Sequence, residues 1–347
     1  MRFLCFGVGA IGTYIGGSLA LAGQEVVFID REEVAASIGQ NSLRLQFADG
    51  DRTVTSPKIV FSLAEAQTQG PYQLAICAVK SFDTAPLLKS LAPYESWLPP
   101  FLCLQNGVEN EALIANALGV ERVVSASVTT AIGRRSSGQI VVERLRGIGV
   151  AGHQSFVPDL IQRMNAAGLK ARYYPNPASM KWSKMLTNLL ANASSAILDM
   201  PPSAIFSHPG LYRMEIKMLQ EALKVMAAQQ IPVSDLPGTP VKLLVWIAQS
   251  LPPALTQPLL ANSLGKGRGA KMPSFHVDLH SGRGASEVDY LNGAVVRFGK
   301  KLFIPTPINT FLNETLMGMS GGTIAKDLYA HNPDKLLAAC EFNRRRM

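Results

Sequence analysis

The first half of the chain alternates short apolar runs with helical or loop segments. Strands are predicted at residues 3–6, 25–30, 58–61, 74–79, 101–104 and 123–129. These runs are almost continuously apolar, which is typical of a parallel sheet with helices on both faces. Three shorter runs, at 139–143, 147–151 and 171–174, predict further strands that complete the same domain.

The pattern changes near residue 175. Beyond it the apolar positions recur with a helical period, which predicts helices at 179–198, 209–230, 240–250, 286–302 and 306–318. The stretch from Pro232 to Pro273 is rich in proline and glycine and includes Gly-Lys-Gly-Arg-Gly at 265–269, so a loop is expected there. With 347 residues, 47% of them hydrophobic, the chain can fill two cores. We therefore expect an α/β domain over 1–175 and an all-α domain over 176–347.

A glycine-rich turn joins the first strand to the first helix. Gly7, Gly9 and Gly12 form G-x-G-x-x-G before a helical run at 10–21, and the following strand ends in Asp30, 18 residues after Gly12. Such glycines allow a tight turn, close approach of a pyrophosphate and close helix–sheet packing, and an acidic residue at that distance meets a ribose. The pattern predicts a Rossmann-type dinucleotide-binding domain whose phosphates lie at the helix N-terminus.

A secretory signal peptide is the alternative interpretation of the N-terminus. Met1 and Arg2 precede an apolar stretch that ends in Leu-Ala-Leu-Ala-Gly at 19–23. The first 23 residues contain six glycines, however, which is unfavourable for the apolar region of a signal peptide. The nucleotide-binding interpretation is therefore favoured.

Cysteine and histidine positions limit the other classes of site. None of the four cysteines forms a C-x-x-C motif, so buried, reduced thiols and a cytoplasmic location are expected. His276 and His280 are four residues apart, but the sequence offers no evident third ligand, and no metal is expected. No apolar run reaches the length of about 18 residues that a membrane span needs.

Positive charge is concentrated in the second half. The net charge is +8: residues 1–175 carry 15 Lys/Arg and 14 Asp/Glu (+1), and residues 176–347 carry 18 and 11 (+7). The positive residues are scattered, apart from a run at 344–346 that is interpreted as a solvated end. An anionic cofactor and a small anionic substrate explain this charge more simply than a nucleic acid does.

The first helix of the second half carries a polar row. Lys184, Asn188 and Asn192 follow one another at steps of four, within an arc of about 80° on one helix face. Asparagine is a poor helix former, so such a row on an otherwise apolar helix suggests a functional face. A lysine beside a cofactor is a plausible acid for the reduction of a ketone. Glu287 begins another predicted helix, where N-terminal capping is the simplest explanation from the sequence alone.

Five motifs occur in order along the chain. They are G-V-G-A-I-G at 7–12, L-Q-N-G at 104–107, W-S-K-x3-N-x3-N at 182–192, P-S at 273–274 followed by S-E-V-D-Y-L-N-G at 286–293, and I-P-T-P-I-N at 304–309. The set resembles the motifs of the ketopantoate reductases (2-dehydropantoate 2-reductases), and the resemblance spans nearly the whole chain.

The resemblance implies a role for each substrate-site residue. Lys184 would be the general acid that protonates the ketone oxygen as hydride arrives. Glu287 would hold Lys184 and the substrate hydroxyl. The polar groups of the substrate would be bound by Asn188, Asn192 and Ser274.

The resemblance also implies a cofactor site. The residues expected to contact the dinucleotide are Gly7, Gly9, Ala10, Ile11, Gly12, Arg31, Lys80 and Asn106. Asn106 would lie between the substrate and the nicotinamide ribose, and Lys80 near the phosphates. Arg31 with Lys80 favours NADP, whereas Asp30 favours the free ribose hydroxyl of NAD. NADP is expected, and NAD stays open.

Departures from the family pattern lie around the substrate. Ala-Ser-Ser follows Asn192 where Asn-Pro is usual, and the segment from Ser274 to Glu287 is one residue longer, with Phe275 and His276 in place of Met and Leu. The expected activity is NADPH-dependent reduction of 2-dehydropantoate. The alternatives are a reductase of another branched 2-oxo acid and a non-catalytic NADP(H) sensor. A homodimer through the helical domain is possible.

Overall fold

A computed structural model describes residues 1–38, 42–252, 256–257 and 271–346. The Gly-Lys-Gly-Arg-Gly stretch at 265–269, for which a loop is expected, lies outside these residues. The chain divides into two units: Met1–Lys181 with Leu236–Thr239, called the sheet unit, and Trp182–Asp235 with Pro240–Met347, called the helical unit.

The sheet unit alternates strands and helices along most of its length. Its strands are β1 Arg2–Phe6, β2 Glu25–Ile29, β3 Ser42–Phe47, β4 Gly50–Thr55, β5 Lys58–Val60, β6 Leu74–Cys77, β7 Phe101–Cys103, β8 Val123–Val128, β9 Ala131–Ser136, β10 Gln139–Arg144, β11 Ile148–Ala151 and β12 Ala171–Tyr173. Its helices are α1 Ala10–Leu21, α2 Glu32–Ile38, α3 Leu63–Thr68, α4 Thr84–Leu91, α5 Asn110–Leu118 and α6 Val157–Ala166.

Eight strands form the main sheet in the order β12-β11-β8-β7-β6-β1-β2-β5. The six strands from β8 to β5 are parallel to their neighbours, and β11 pairs antiparallel with β8. Numbered along the chain, these six strands have the order 3-2-1-4-5-6, which is that of the Rossmann fold. The prediction of a Rossmann-type domain is confirmed.

Both faces of this sheet are buried, as the continuous apolar runs predict. Along β1, Phe3 and Cys5 belong to one hydrophobic cluster, and Leu4 and Phe6 belong to another. Successive side chains of a strand point to opposite faces, so the two clusters are the cores above and below the sheet.

A second sheet, of order β4-β3-β10-β9, lies beside α1. The sequence predicts only β10 of these four strands. The burial of β4 and β9 explains the omission, because most of their side chains are exposed or only partly buried and form no apolar run. A Cβ on Gly17 of α1 would lie 3.0 Å from Leu45 Cδ1 of β3, so glycine permits the close contact between α1 and this sheet.

The helical unit contains the remaining described helices. They are α7 Pro177–Leu189, whose N-terminal part belongs to the sheet unit, α8 Ala193–Leu198, α9 Pro202–Ser207, α10 Pro209–Ala228, α11 Val241–Ser250, α12 Ser274–His280, α13 Val288–Lys301, α14 Pro307–Gly321 and α15 Pro333–Arg346. The all-α prediction for the second half is confirmed. No described helix is both long and apolar enough to cross a membrane.

The prediction of one continuous helix over 179–198 is wrong. α7 ends at Leu189 and α8 begins at Ala193, with Ala191 between them at φ 49°. The buried Glu215 carboxylate of α10 accepts hydrogen bonds from Ala191 N at 2.7 Å and Ser194 Oγ at 2.5 Å. These bonds satisfy polar groups that the break would otherwise leave buried, and they come from a residue distant in the sequence.

The division between the two units falls inside α7, after Lys181. The N-terminal part of α7 packs within the sheet unit: a Cβ on Gly149 of β11 would lie 2.6 Å from Met180 Sδ. The chain later returns to the sheet unit at Leu236–Thr239, where Thr129 Oγ1 donates to Pro237 O at 2.8 Å. Gly238, at φ 60°, lies close to Arg146.

Candidate active site

The three motif glycines meet different surroundings. Gly7 adopts φ 95°, a conformation that favours glycine. A Cβ on Gly12 would lie 1.8 Å from Gly7 O, so no side chain fits there. A Cβ on Gly9 would meet no described heavy atom within 4 Å. The turn is therefore closed on the side of Gly12 and open at Gly9, which is the arrangement a pyrophosphate needs.

Helix α1 presents its N-terminus at this opening. Gly9 is the N-cap residue, and its carbonyl accepts Thr13 N at 2.9 Å. The amides of Ala10 and Ile11 belong to the first turn, where N–H groups have no partner within the helix. The first turn contains no acidic residue. Free amides and the positive end of the helix dipole suit an anionic group.

Asp30 anchors the glycine turn. Its Oδ2 accepts Val8 N at 2.6 Å, and its Oδ1 accepts Arg31 N at 2.8 Å. Both carboxylate oxygens thus contact backbone amides, one of them within the glycine motif. The Arg31 side chain is exposed at the carboxyl end of β2.

Lys80 follows strand β6, which pairs with β1, and Asn106 follows strand β7, which pairs with β6. Parallel neighbours bring their carboxyl ends to one edge of the sheet, where the glycine turn also lies. The Asn106 carbonyl accepts Ser81 Oγ at 2.9 Å and Asn110 Nδ2 at 2.7 Å, so the backbone of the Q-N-G loop is fixed. The predicted cofactor residues thus gather at the edge where dinucleotides bind in this fold.

In the helical unit, Lys184 and Asn188 are partly buried on α7. Asn192 lies beyond the helix break, at the N-cap of α8, so it does not continue the α7 face. Its side-chain amide connects three elements: Nδ2 donates to Asn188 O at 3.1 Å and Ser274 Oγ at 3.3 Å, and Oδ1 accepts Phe275 N at 3.1 Å. Asn192 therefore brings the predicted substrate residues of α7 and α12 together.

Glu287 is the N-cap residue of α13 and is 2% exposed. Its carboxylate makes no capping hydrogen bond; Ser286 Oγ accepts Val288 N at 3.2 Å instead. Capping therefore does not explain this buried carboxylate. Helices α7 and α13 pack through Trp182 and Phe298, whose rings meet edge to face at 5.4 Å.

The sequence analysis missed two buried charged side chains, Lys181 and Glu221, and the contacts around them. Lys181 Nζ contacts Glu111 Oε1 at 2.8 Å and donates to Gln105 O at 2.6 Å. Burial acts to lower the pKa of Lys181, but the Glu111 carboxylate raises it to a net value above the ordinary one. Lys181 stays charged at neutral pH and fastens α7 to the Q-N-G loop. The sequence does not distinguish Lys181 from Lys184, which lies three residues later. The structure distinguishes them, because Lys181 is buried and Lys184 is only partly buried.

The contacts around Glu221 join two of the motifs. Glu221 on α10 accepts Ile308 N, Asn309 N and Asn309 Nδ2 at 2.8–3.0 Å, and Asn292 Nδ2 donates to Asn309 Oδ1 at 3.0 Å. Burial raises the pKa of Glu221, and these hydrogen bonds oppose the shift. The asparagines of D-Y-L-N-G and I-P-T-P-I-N thus act as structural links between α10, α13 and α14.

Two family models match the chain. The model described as ketopantoate reductase PanE/ApbA matches residues 3–153, and the one described as ketopantoate reductase PanE/ApbA C terminal matches residues 176–320. Together they include every predicted site residue.

Known proteins are similar to this chain over nearly its whole length. A 2-dehydropantoate 2-reductase of Pyrococcus horikoshii is 26% identical over 319 residues, which cover 90% of this chain and 95% of the relative. The crystal structure of a PanE/ApbA family ketopantoate reductase from Ralstonia eutropha JMP134 has a TM-score of 0.76 and 26% identity, covering 93% of this chain and 99% of that one. A D-mandelate dehydrogenase with NADH and anilino(oxo)acetate has a TM-score of 0.75 at 23% identity, with the same coverage.

Proposed function

Because this chain belongs to the ketopantoate reductase family of oxidoreductases, we propose that it reduces 2-dehydropantoate to pantoate with NADPH. Reduction of a 2-oxo acid is the family-level activity. The choice of 2-dehydropantoate, of NADPH and of Lys184 as the proton donor is our proposal.

The observation that carries it is the hydrogen bonding of Asn192. This one amide contacts Ser274, Phe275 and the α7 carbonyl of Asn188, so the motif residues of two separated segments meet in the helical unit. Phe275 is 1% exposed, and His276 contacts Asp199. Of the departures from the family pattern, Phe275 and His276 thus have contacts inside the helical unit.

The residues supply a proton and charge stabilisation. Reduced nicotinamide, when bound, supplies the hydride that reaches C2 of the substrate. The Lys184 ammonium donates a proton to the C2 oxygen as negative charge develops there. The products are the 2-hydroxy acid and the oxidised cofactor, and Lys184 then recovers its proton from solvent.

Replacement of Lys184 tests the proton donor. Lys184→Ala should leave NADPH affinity nearly unchanged and lower kcat by roughly 10²–10⁴, the range typical of a positioned acid. Lys217→Ala is the matched control, because Lys217 is an exposed lysine of the same unit on α10. The decrease in NADPH absorbance, followed continuously at saturating substrate, gives kcat. A Lys184→Ala enzyme with half of the wild-type activity would exclude this role.

Substrate choice is tested with 2-oxoisovalerate, which lacks the hydroxymethyl group of 2-dehydropantoate. A site that hydrogen-bonds a hydroxyl strongly rejects analogues that lack it, so 2-dehydropantoate should be favoured by at least about 100-fold in kcat/KM. Glu287→Gln should narrow this ratio. Equal rates for both substrates would instead favour a reductase of another branched 2-oxo acid. NADPH binding without turnover of any 2-oxo acid would favour the sensor.

Two contacts support NADPH as the cofactor. Each oxygen of Asp30 accepts a backbone N–H, which gives this carboxylate a structural role independent of a ribose. Arg31 is exposed at the end of β2 and can pair with a phosphate through charge-assisted hydrogen bonds.

Arg31→Ala should therefore weaken NADPH binding at least about tenfold more than NADH binding, since only NADPH loses a phosphate partner. Arg172→Ala serves as the control. Arg172 lies on the edge strand β12, whereas Arg31 follows β2, which lies next to the opposite edge strand, β5. Affinities are measured by cofactor fluorescence. An equal loss for both cofactors would favour an NADH enzyme.

A further inference from the structure

Three of the five histidines of the chain gather around one aspartate in the helical unit. Asp199 follows α8 in the left-handed conformation, at φ 51°. His276 and His280 lie one turn apart on α12, and His331 precedes α15. The sequence shows the spacing of His276 and His280 but cannot show Asp199, which is 77 residues from His276 along the chain.

The nitrogen and oxygen atoms of these side chains lie close to one another. His276 Nε2 lies 2.8 Å from Asp199 Oδ1, and His331 Nε2 lies 3.6 Å from Asp199 Oδ2. The rings of His276 and His280 are 4.4 Å apart between centroids. One donor atom from each of Asp199, His276 and His280 lies within 4.8 Å of the other two.

We propose that Asp199, His276 and His280 bind a divalent transition-metal ion such as Zn²⁺. Imidazole nitrogen and carboxylate oxygen are preferred zinc ligands, with bonds of about 2.0–2.2 Å, so two donors on one tetrahedral ion lie about 3.4 Å apart. Asp199 and His280 are exposed, and rotation of their side chains can bring the donors to this separation. His331 or water completes the four positions.

The surroundings hold the ligands in place and limit the affinity. His331 N donates to Leu198 O at 2.8 Å, which ties the loop before α15 to the end of α8. Lys326 Nζ donates to Leu279 O at 2.8 Å, so one positive charge lies next to His280 and opposes a cation. A three-ligand, solvent-accessible site with this neighbour is suited to moderate rather than very tight binding.

The ion would link two helices that also carry predicted substrate residues. Asn192, at the start of α8, contacts the start of α12 through Ser274 and Phe275. Asp199, at the end of α8, contacts His276 on the same helix α12. A metal ion at Asp199 would therefore fasten α8 to α12 at a second point and stabilise the helical unit.

The test uses the full chain without a histidine tag, treated with a chelator and then exchanged into metal-free buffer. Zn²⁺ binding is measured by calorimetry and by the rise in melting temperature, since a ligand that binds only the folded state stabilises it. Co²⁺ absorbance reports coordination by protein ligands. The wild type should bind one ion per chain at micromolar concentration.

Two ligand variants and one control identify the site. His280→Ala and Asp199→Asn should weaken Zn²⁺ binding by at least about tenfold and abolish the thermal shift. Asparagine tolerates the left-handed conformation of residue 199, so Asp199→Asn keeps the fold. His153→Ala, which removes an exposed histidine of the sheet unit paired with Glu121, should bind like the wild type.

The melting curve of each variant without metal checks that the variant folds. If His280→Ala does not fold, His280→Gln replaces it. Wild-type protein that binds no Zn²⁺ at micromolar concentration would overturn the proposal. Equal binding by the wild type and by both ligand variants would do the same. Neither result would affect the proposed reductase activity, which is measured in metal-free buffer.

Discussion

At the scale of single residues, Gly9 and Gly12 share a motif but serve it differently. Gly12 is required by the protein itself, because a Cβ there would lie 1.8 Å from Gly7 O. Gly9 faces open space and has φ −75°, a value that alanine adopts without strain. The fold therefore does not require glycine at position 9, whereas close approach of a phosphate would.

Alanine at each position separates these roles. Gly9→Ala should leave the melting temperature close to that of the wild type and weaken NADPH binding at least about tenfold, because the methyl group occupies the phosphate approach. Gly12→Ala should lower the melting temperature, since its clash is with backbone. Thermal melting and NADPH fluorescence give both quantities. A Gly9→Ala variant with unchanged NADPH affinity would place the pyrophosphate elsewhere.

At the scale of elements, the break between α7 and α8 depends on Glu215. Its carboxylate accepts buried hydrogen bonds from Ala191 N and Ser194 Oγ, and Ala191 is held at φ 49°. A left-handed conformation in a non-glycine residue costs about 1–2 kcal/mol. The bonds to Glu215 offset this energy and turn the chain so that Asn192 meets α12.

Glu215→Ala should lower the free energy of unfolding by about 2–5 kcal/mol, because two buried donors lose their acceptor. Glu215→Gln should lower it less, since one acceptor oxygen remains. The exposed Glu314 of α14 provides the control, and Glu314→Ala should change stability by less than about 0.5 kcal/mol. Urea unfolding followed by circular dichroism measures all three. Similar stabilities for Glu215→Ala and Glu314→Ala would show that other contacts hold the break.

What the sequence predicts at this scale depends on whether the signal is local. Strands such as β1 and β6, buried on both faces, are continuous apolar runs and are predicted. The strands β4 and β9 expose most of their side chains and are missed. The break at Ala191 has no glycine or proline to mark it, because its cause is Glu215, 24 residues later.

The residues of the candidate site also differ in whether a local sequence signal predicts them. The glycine turn has a physical meaning in sequence alone, and family resemblance points to Lys184 and Glu287. Asp30 anchors the turn, and Lys181 has a structural role that differs from the role proposed for Lys184. Both features depend on tertiary contacts that no local pattern encodes.

At the scale of the whole molecule, the uneven charge has a measurable effect on an anionic substrate. Residues 176–347 carry +7 of the net +8. Long-range attraction is screened at a Debye length of about 8 Å in 0.15 M salt. Added KCl should therefore lower kcat/KM for a 2-oxo acid several-fold, mainly through KM. Sucrose at equal osmolarity should have little effect. A kcat/KM independent of KCl would show that the net charge does not guide the substrate.

The return of the chain at Leu236–Thr239 sets an order on folding during synthesis. Thr129 and Gly147 of the sheet unit obtain their contacts with Pro237 only after the ribosome has passed Trp182–Asp235, a stretch of 54 residues. At about 5–20 residues per second this takes about 3–11 seconds. During that interval the nascent sheet unit lacks Leu236–Thr239, so Thr129 has no contact with Pro237. A chain truncated at the division in α7 would lack this segment permanently.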